Sequence, residues 1–229
     1  MADERNNEIE ETKIQGVNGP ITGWLDGHTI LVGLMAYPIR HTMSPTMHNN
    51  AFAKLGLNGA YLCFEIDNEK LPGAIDAIRT LNMRGSNVSM PNKKKVIPYL
   101  DKLDKTSQMC DAVNTIVNEH GVLTGYTTDG MGWLRALKKD GQDVKGKIIT
   151  LAGAGGAATP IAVTASLEGA KEIRIFNLDD DKWAQAVKNV ETINILNATG
   201  KDGFGKVDAS KFVGATVINQ VNKAGEVIN

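Results

Sequence analysis

Between Arg84 and Met131 three short polar clusters interrupt apolar sequence: RGSNVSMPNK, DAVNTIV and GYTTDGM. They contain small amides and hydroxyls (Asn87, Ser89, Asn114, Thr128), one amine (Lys93) and one carboxylate (Asp129). Those are the groups that a site for a hydroxylated small molecule requires. Lys93 directly follows a strand end, where open α/β sheets place their ligands. Its neighbours Lys94 and Lys95 read as a solvated face. Asp129 has a plainer reading as a helix cap, and so does Ser44, which precedes Pro45. At Ser44 the two readings coexist, because the unpaired amides of a helix start favour an anion such as a carboxylate.

Strands and helix starts must bring these residues together. TILVGLMA (Thr29–Ala36) is a continuous apolar run, read as a buried parallel strand. A loop leads to Ser44. A helix then follows, with Pro45 at its first position, Met47, Ala51 and Leu55 at helical spacing, and Gly56 as its stop. AYLCFEI is a second strand. Glu69–Met83 is a helix with Leu71, Ile75, Ile78 and Leu81 on one face, and GSNVSM is a third strand closed by Pro91. This alternation predicts a parallel α/β sheet. Val96, Ile97, Leu100 and Leu103 have helical spacing that Pro98 must distort or delay. Ala112–Val117 and Val122–Tyr126 pair across a turn at His120 and Gly121, and a helix starts at Asp129.

A second unit opens at KIITLAGAGGAATPIAVTASLEGAKEIRIFNLDDDKW, a βαβ pattern. Its turn is Gly153, Ala154, Gly155, Gly156 and Ala157: Gly153 for the tight bend, Gly155 for close approach of a pyrophosphate, small residues for helix packing. Asn177, Asp179 and Asp180 follow the second strand. A carboxylate there accepts the ribose hydroxyls of NAD and repels the extra phosphate of NADP, and no Arg follows Asn177 before the next helix. NAD is therefore the expected cofactor, with NADP the alternative. Residues 182–199 read as a helix with a loop, and GATVINQVNKAG as a strand and turn.

The fold class expected is α/β with two domains. After an N-terminal extension, partly disordered, at 1–28 comes a parallel-sheet substrate domain at 29–130. A Rossmann-type nucleotide-binding domain at 131–229 is incomplete at its C-terminus. With 42% hydrophobic residues in 229, the chain can bury a real core. A net charge of −1 with interleaved signs steers it toward neither nucleic acid nor anionic membrane. The start, MADERNNEIEETK, lacks the apolar core of a signal peptide, and no run reaches the roughly 20 apolar residues of a membrane helix. Cys63 and Cys110 lie in apolar runs as free thiols, which suits a reducing compartment and a cytoplasmic protein. His41 and His48, seven apart with no nearby acid, close no metal shell.

These motifs, in this order, resemble the shikimate/quinate dehydrogenase family over roughly residues 30 to 225. AYPIRHTMSP resembles its carboxylate-binding Ser-x-Ser-Pro segment, SNVSMPNK its Asn-Val-Thr/Ser-x-Pro-x-Lys motif, and DAVNTIV with GYTTDG its Ala-x-Asn-Thr and Asn-Thr-Asp-Gly motifs. GAGGAA resembles its shortened cofactor turn. MPNK and AYPIRH are closest to the branch that accepts quinate as well as shikimate and can use NAD. The resemblance implies reversible hydride transfer between a cyclic polyol carboxylate and a nicotinamide. Thr42 and Ser44 would bind the carboxylate, Asn87, Ser89 and Asn114 the ring hydroxyls, and Lys93 and Asp129 would be the catalytic acid/base pair. It implies a monomer or a homodimer.

The chain departs from the pattern at several places. Thr42 replaces the first Ser. Thr127 replaces the Asn before Thr-Asp-Gly, an amide expected to support the aspartate. Leu178 stands where many relatives carry an Arg that reads the 2′-phosphate. The family's closing Gly-rich, Gln-containing helix has no counterpart. A truncated, non-catalytic binder of NAD or of the polyol acid is therefore the alternative function. A folate-type dehydrogenase, which lacks the two substrate motifs, is a weaker one.

Overall fold

The computed structural model describes residues 25–178, 184, 187–191, 214–221 and 227–228. The N-terminal extension up to residue 24, Asp179 and Asp180 lie outside them, as does most of 182–199.

The first sheet has six strands. They are β1 (Ile30–Ala36), β2 (Gly59–Glu65), β3 (Gly85–Val88), β4 (Lys102–Leu103), β5 (Thr115–Glu119) and β6 (Val122–Tyr126), in the order β2-β1-β3-β5-β6-β4. β1 runs parallel to both β2 and β3, as expected. The other half corrects the all-parallel expectation: β5 is antiparallel to β3 and to β6. Between β5 and β6 the reversal is a tight turn at His120 and Gly121, both with positive φ (54° and 88°). It joins neighbours too closely for a parallel crossover.

Three helices belong to this sheet: α1 (Ser44–Leu55), α2 (Leu71–Thr80) and α3 (Lys105–Cys110). α2 buries Leu71, Ile75 and Ile78 against Met35, Val88, Ile116 and Leu123, each contributing roughly 1.5–3 kcal/mol. Leu81 falls past its end and is exposed. On the other face of β1, Leu34 and Ala36 pack with Ile39 and Tyr61. There α1 departs from its apolar pattern: Met47 and Leu55 are exposed, and the helix meets the sheet through Phe52 and Asn49 instead. Asn49 donates to the Tyr61 carbonyl (3.0 Å) and accepts from the Tyr61 amide (2.8 Å), filling one pair of hydrogen bonds on edge strand β2. The helical run expected after Lys93 is only a 3₁₀ turn, Ile97–Tyr99, with Pro98 inside it. α3 begins afterwards because Asp104 caps it, accepting from the Ser107 (2.9 Å) and Thr106 (3.3 Å) amides.

α4 (Asp129–Lys139) leads to the second sheet, where β7 (Ile148–Ala152), α5 (Ala158–Leu167) and β8 (Glu172–Leu178) form the expected βαβ unit. β9 (Gly214–Val221) extends it in parallel, and β10 (Val227–Ile228) closes the order β10-β9-β8-β7. α5 is apolar nearly all round, which matches its position. One side packs on Ile173 and Ile175, and the same cluster takes in Cys110 and Ala112 from the first unit, with Trp133 of α4 against it. The two units thus share a core along α5. No helix among the described residues is long and apolar enough to cross a membrane.

Candidate active site

Lys93 and Asp129, thirty-six residues apart, meet at the mouth of the first sheet with Nζ 2.7 Å from Oδ2. Their side chains are 20% and 28% exposed: sheltered enough for the charges to interact strongly, open enough for a small molecule to reach them. Lys93 is placed by the end of β3 and by its own carbonyl, which accepts the Val113 amide at 2.8 Å. Asp129 is the first residue of α4. It is not the cap, which is Thr128, and its carboxylate points into the site.

The other carboxylate oxygen of Asp129 accepts from the Asn114 amide at 2.6 Å. The Asn114 carbonyl oxygen accepts from Thr115 Oγ1 (2.9 Å), the Thr128 amide (3.1 Å) and Thr128 Oγ1 (3.1 Å). Its acceptor capacity is therefore filled within the protein, and one N–H remains beyond the bond to Asp129. Asn87, on β3, donates to Thr115 Oγ1 (3.0 Å) and to the main-chain carbonyl of Asn114 (3.2 Å), not its side-chain Oδ1, and accepts from the Tyr61 hydroxyl (2.8 Å). With both N–H groups committed, an oxygen lone pair is what Asn87 has left for a ligand. Ser89 is half-buried just past β3, its amide bonded to the Met35 carbonyl at 3.0 Å.

Tyr61 was not singled out by its sequence, although a phenol inside an apolar strand needs a polar partner, and that was the available signal. Burial first, and then the nearby Cys63, push its hydroxyl well above the ordinary value, while a hydrogen bond with Ser44 opposes this. The phenol therefore stays protonated and donating. His48 stacks on its ring at 4.2 Å and 8°. Ser44 in turn accepts from Thr42 Oγ1 at 3.1 Å, and the Ser44 amide donates to that same Thr42 oxygen at 3.2 Å. Ser44 is the first residue of α1 and Met43 the cap, so the Ser44 hydroxyl is turned to this network, not to capping. Hydrogen bonds thus run from Tyr61 through Asn87, Thr115 and Asn114 to Asp129 and Lys93. A cavity of about 350 Å³, lined by Ile39, Arg40, Thr42, Pro45, Cys63 and Glu65, lies beside Thr42, away from the ion pair.

The glycine turn lies between β7 and α5. Gly153 has φ +105°, a conformation that L side chains rarely adopt, and its amide donates to the Phe176 carbonyl at 2.6 Å. At Gly155 and Gly156 an added Cβ would meet nothing within 4 Å. The protein itself therefore does not demand glycine there. The space a side chain would take stays open beside the start of α5, which fits a dinucleotide pyrophosphate approaching backbone. Ala154 is buried beneath the turn and Ala157 is exposed at the helix start. Asn177 is placed by its backbone alone, in β8 opposite Gln220. α5 itself packs against the residue beside the ion pair. Gly130, next to Asp129, sits so close to α5 that a Cβ would lie 2.3 Å from the Pro160 carbonyl oxygen and 2.1 Å from Thr164 Oγ1. Among the described residues no three His, Cys, Asp or Glu side chains stand together as a metal site.

The mixed first sheet with its paired amine and carboxylate, and the second sheet with its glycine turn, define a two-unit α/β protein whose second unit is Rossmann-like. The comparisons specify the family. The profile described as shikimate dehydrogenase substrate binding domain matches residues 34–116. The chain is 56% identical over 174 residues to the shikimate dehydrogenase (NADP(+)) of Listeria monocytogenes serotype 4b, an alignment that covers 76% of this chain and 60% of the relative. Among solved structures, it resembles shikimate 5-dehydrogenase from Listeria monocytogenes in complex with shikimate and NAD, with TM-score 0.73 and 50% identity over 83% of this chain and 63% of that one. It also resembles a shikimate dehydrogenase in complex with NADP+, with TM-score 0.71 and 36% identity over 90% of this chain and 70% of that one. The chain belongs to the shikimate dehydrogenase family. It spans 60% of the length of the curated relative.

Proposed function

We propose that this chain carries the substrate-binding and hydride-transfer machinery of a shikimate dehydrogenase, interconverting shikimate and 3-dehydroshikimate, with quinate and 3-dehydroquinate as further substrates to be tested. The observation that carries this reading is the 2.7 Å contact of Lys93 with Asp129 at the end of the hydrogen-bond line that starts at Tyr61. Bound beside α5, a nicotinamide dinucleotide would supply a hydride acceptor and donor. The protein must then move a proton, because hydride leaves a carbinol carbon most easily as its hydroxyl is deprotonated. Lys93 has two N–H donors beyond the one given to Asp129 and can hold the substrate oxygen. Asp129 orients Lys93 and shares its proton. Asn114, with its oxygen filled by three donors, acts chiefly by orienting Asp129. Asn87 and Ser89 accept from ring hydroxyls, and Thr42 and Ser44 hold the carboxylate at the start of α1.

The division near residue 130, between a substrate unit at 29–130 and a nucleotide unit at 131–229, is supported by the two separate sheets. The NAD preference read from Asp179 has no support from the names of the curated relatives, which are NADP(+) enzymes. The dinucleotide is therefore proposed as NADP or NAD, with NADP favoured by those names. The test is absorbance of the reduced cofactor with shikimate and with quinate, each with NADP+ and NAD+. Turnover of either acid supports the reading, and ligand binding in a thermal shift without any turnover contradicts it.

A further inference from the structure

The family pattern places Asn where this chain has Thr127, and the loss of that amide predicts a less well supported aspartate. The structure contains a replacement. Thr127 is buried, and its hydroxyl donates to the Ala112 carbonyl. Ser107, fully buried on α3, donates to the same Thr127 oxygen at 3.1 Å, and the Ser107 carbonyl accepts the Ala112 amide at 3.3 Å. Ala112 is thus gripped from both its polar groups by residues 107 and 127.

That grip matters because of what residues 113 and 114 do. The Val113 backbone amide holds the Lys93 carbonyl and the Asn114 side-chain amide holds the Asp129 carboxylate, so this short segment touches both members of the ion pair. Thr127 lies two residues before Asp129. Its hydroxyl therefore closes a ring of contacts that runs from Ala112 through Asn114 to Asp129 and back along the chain. Ala112 also packs in the cluster built around α5, so the grip ties the pair to the nucleotide unit.

We propose that Thr127, acting with Ser107, is a positioning residue that sets the spacing of Lys93 and Asp129. The inference rests on the acid/base reading above, in which that spacing governs proton transfer. A valine at 127 keeps the shape but leaves the Ala112 carbonyl and the Ser107 hydroxyl without their buried partner, and a serine restores the hydroxyl.

The test reads the ion pair without relying on turnover. Folded wild type, Thr127→Val, Thr127→Ser, Ser107→Ala and Asp129→Asn are acetylated briefly with acetic anhydride, and Lys93 labelling relative to exposed Lys95 is measured by mass spectrometry. Asp129→Asn frees the amine and sets the upper limit. The ratio is expected to rise about fivefold in Thr127→Val, the scale of one net hydrogen bond, and to stay near wild type in Thr127→Ser. Ser107→Ala, which removes only the outer donor, is expected to give a smaller rise and decides the matter if Thr127→Val does not fold. A ratio unchanged in both Thr127→Val and Ser107→Ala, beside a clear rise in Asp129→Asn, overturns the proposal and leaves the acid/base reading standing. No rise in Asp129→Asn overturns both.

Discussion

The Asn114 amide and Lys93 divide the carboxylate of Asp129 between them, the amide on Oδ1 at 2.6 Å and the amine on Oδ2 at 2.7 Å. The two contacts fix the plane of the carboxylate, so the direction in which Lys93 is held depends on a neighbour that need not touch the reacting oxygen. Asn114→Ala removes a hydrogen bond to a charged group. It should lower kcat roughly tenfold to a hundredfold while changing the shikimate KM less. Steady-state kinetics checks this: a rise in KM at unchanged kcat would mean that Asn114 binds substrate instead of orienting Asp129.

Tyr61→Phe tests the other end of the line. Loss of the hydroxyl leaves Asn87 Oδ1 without its 2.8 Å donor, loosening a group that grips the substrate equally in ground and transition states. KM for shikimate should rise about two- to tenfold, the range of one net hydrogen bond, with kcat nearly kept.

Gly130→Ala forces a methyl against the Pro160 carbonyl of α5, a backbone atom that no rotamer change can move. Overpacking of this kind costs about 1–3 kcal/mol, and the helix must shift to relieve it. The variant should lose stability in chemical denaturation. Because α5 starts at the glycine turn, its KM for the dinucleotide should rise more than its KM for shikimate.

Away from the site, the Asp101 carboxylate accepts the Leu123 amide at 2.7 Å and the Arg79 guanidinium at 2.9 Å. Those bonds, the Leu123 amide first, hold it below the ordinary 3.8. A carboxylate more acidic in the folded state than in the unfolded chain contributes fully above the unfolded value and loses its contribution as pH falls through the folded one. The Tm difference between wild type and Asp101→Asn should therefore be constant above about pH 5 and close as pH drops below the ordinary carboxylate range. The side chain is 44% exposed, so the difference should be small.

Much of this site is legible in the amino-acid sequence. Lys93 and Asp129 stand at ends of apolar runs and Asn114 interrupts one, and strand ends converge in an α/β sheet whatever the details between them. β7 and α5 were equally readable, because a buried strand, a glycine turn and an all-apolar helix leave few alternatives. Other features depended on tertiary partners. The face of α1 departs from hydrophobic spacing because Asn49 packs as a mimic of a neighbouring strand, which that spacing does not register. Tyr61 and Ser107 act through single hydroxyls whose partners lie on other elements, and neither residue type reveals that in sequence. The antiparallel half of the sheet follows from a hairpin that was seen locally, but its effect on the strand order was not.

The most direct test is turnover of Lys93→Ala with shikimate and NADP+, at saturating substrate, beside wild type. An amine that carries the proton at the reacting oxygen predicts a loss of roughly 10²–10⁴ in kcat, with shikimate still raising the melting temperature of the variant. A kcat within a few-fold of wild type would contradict the account.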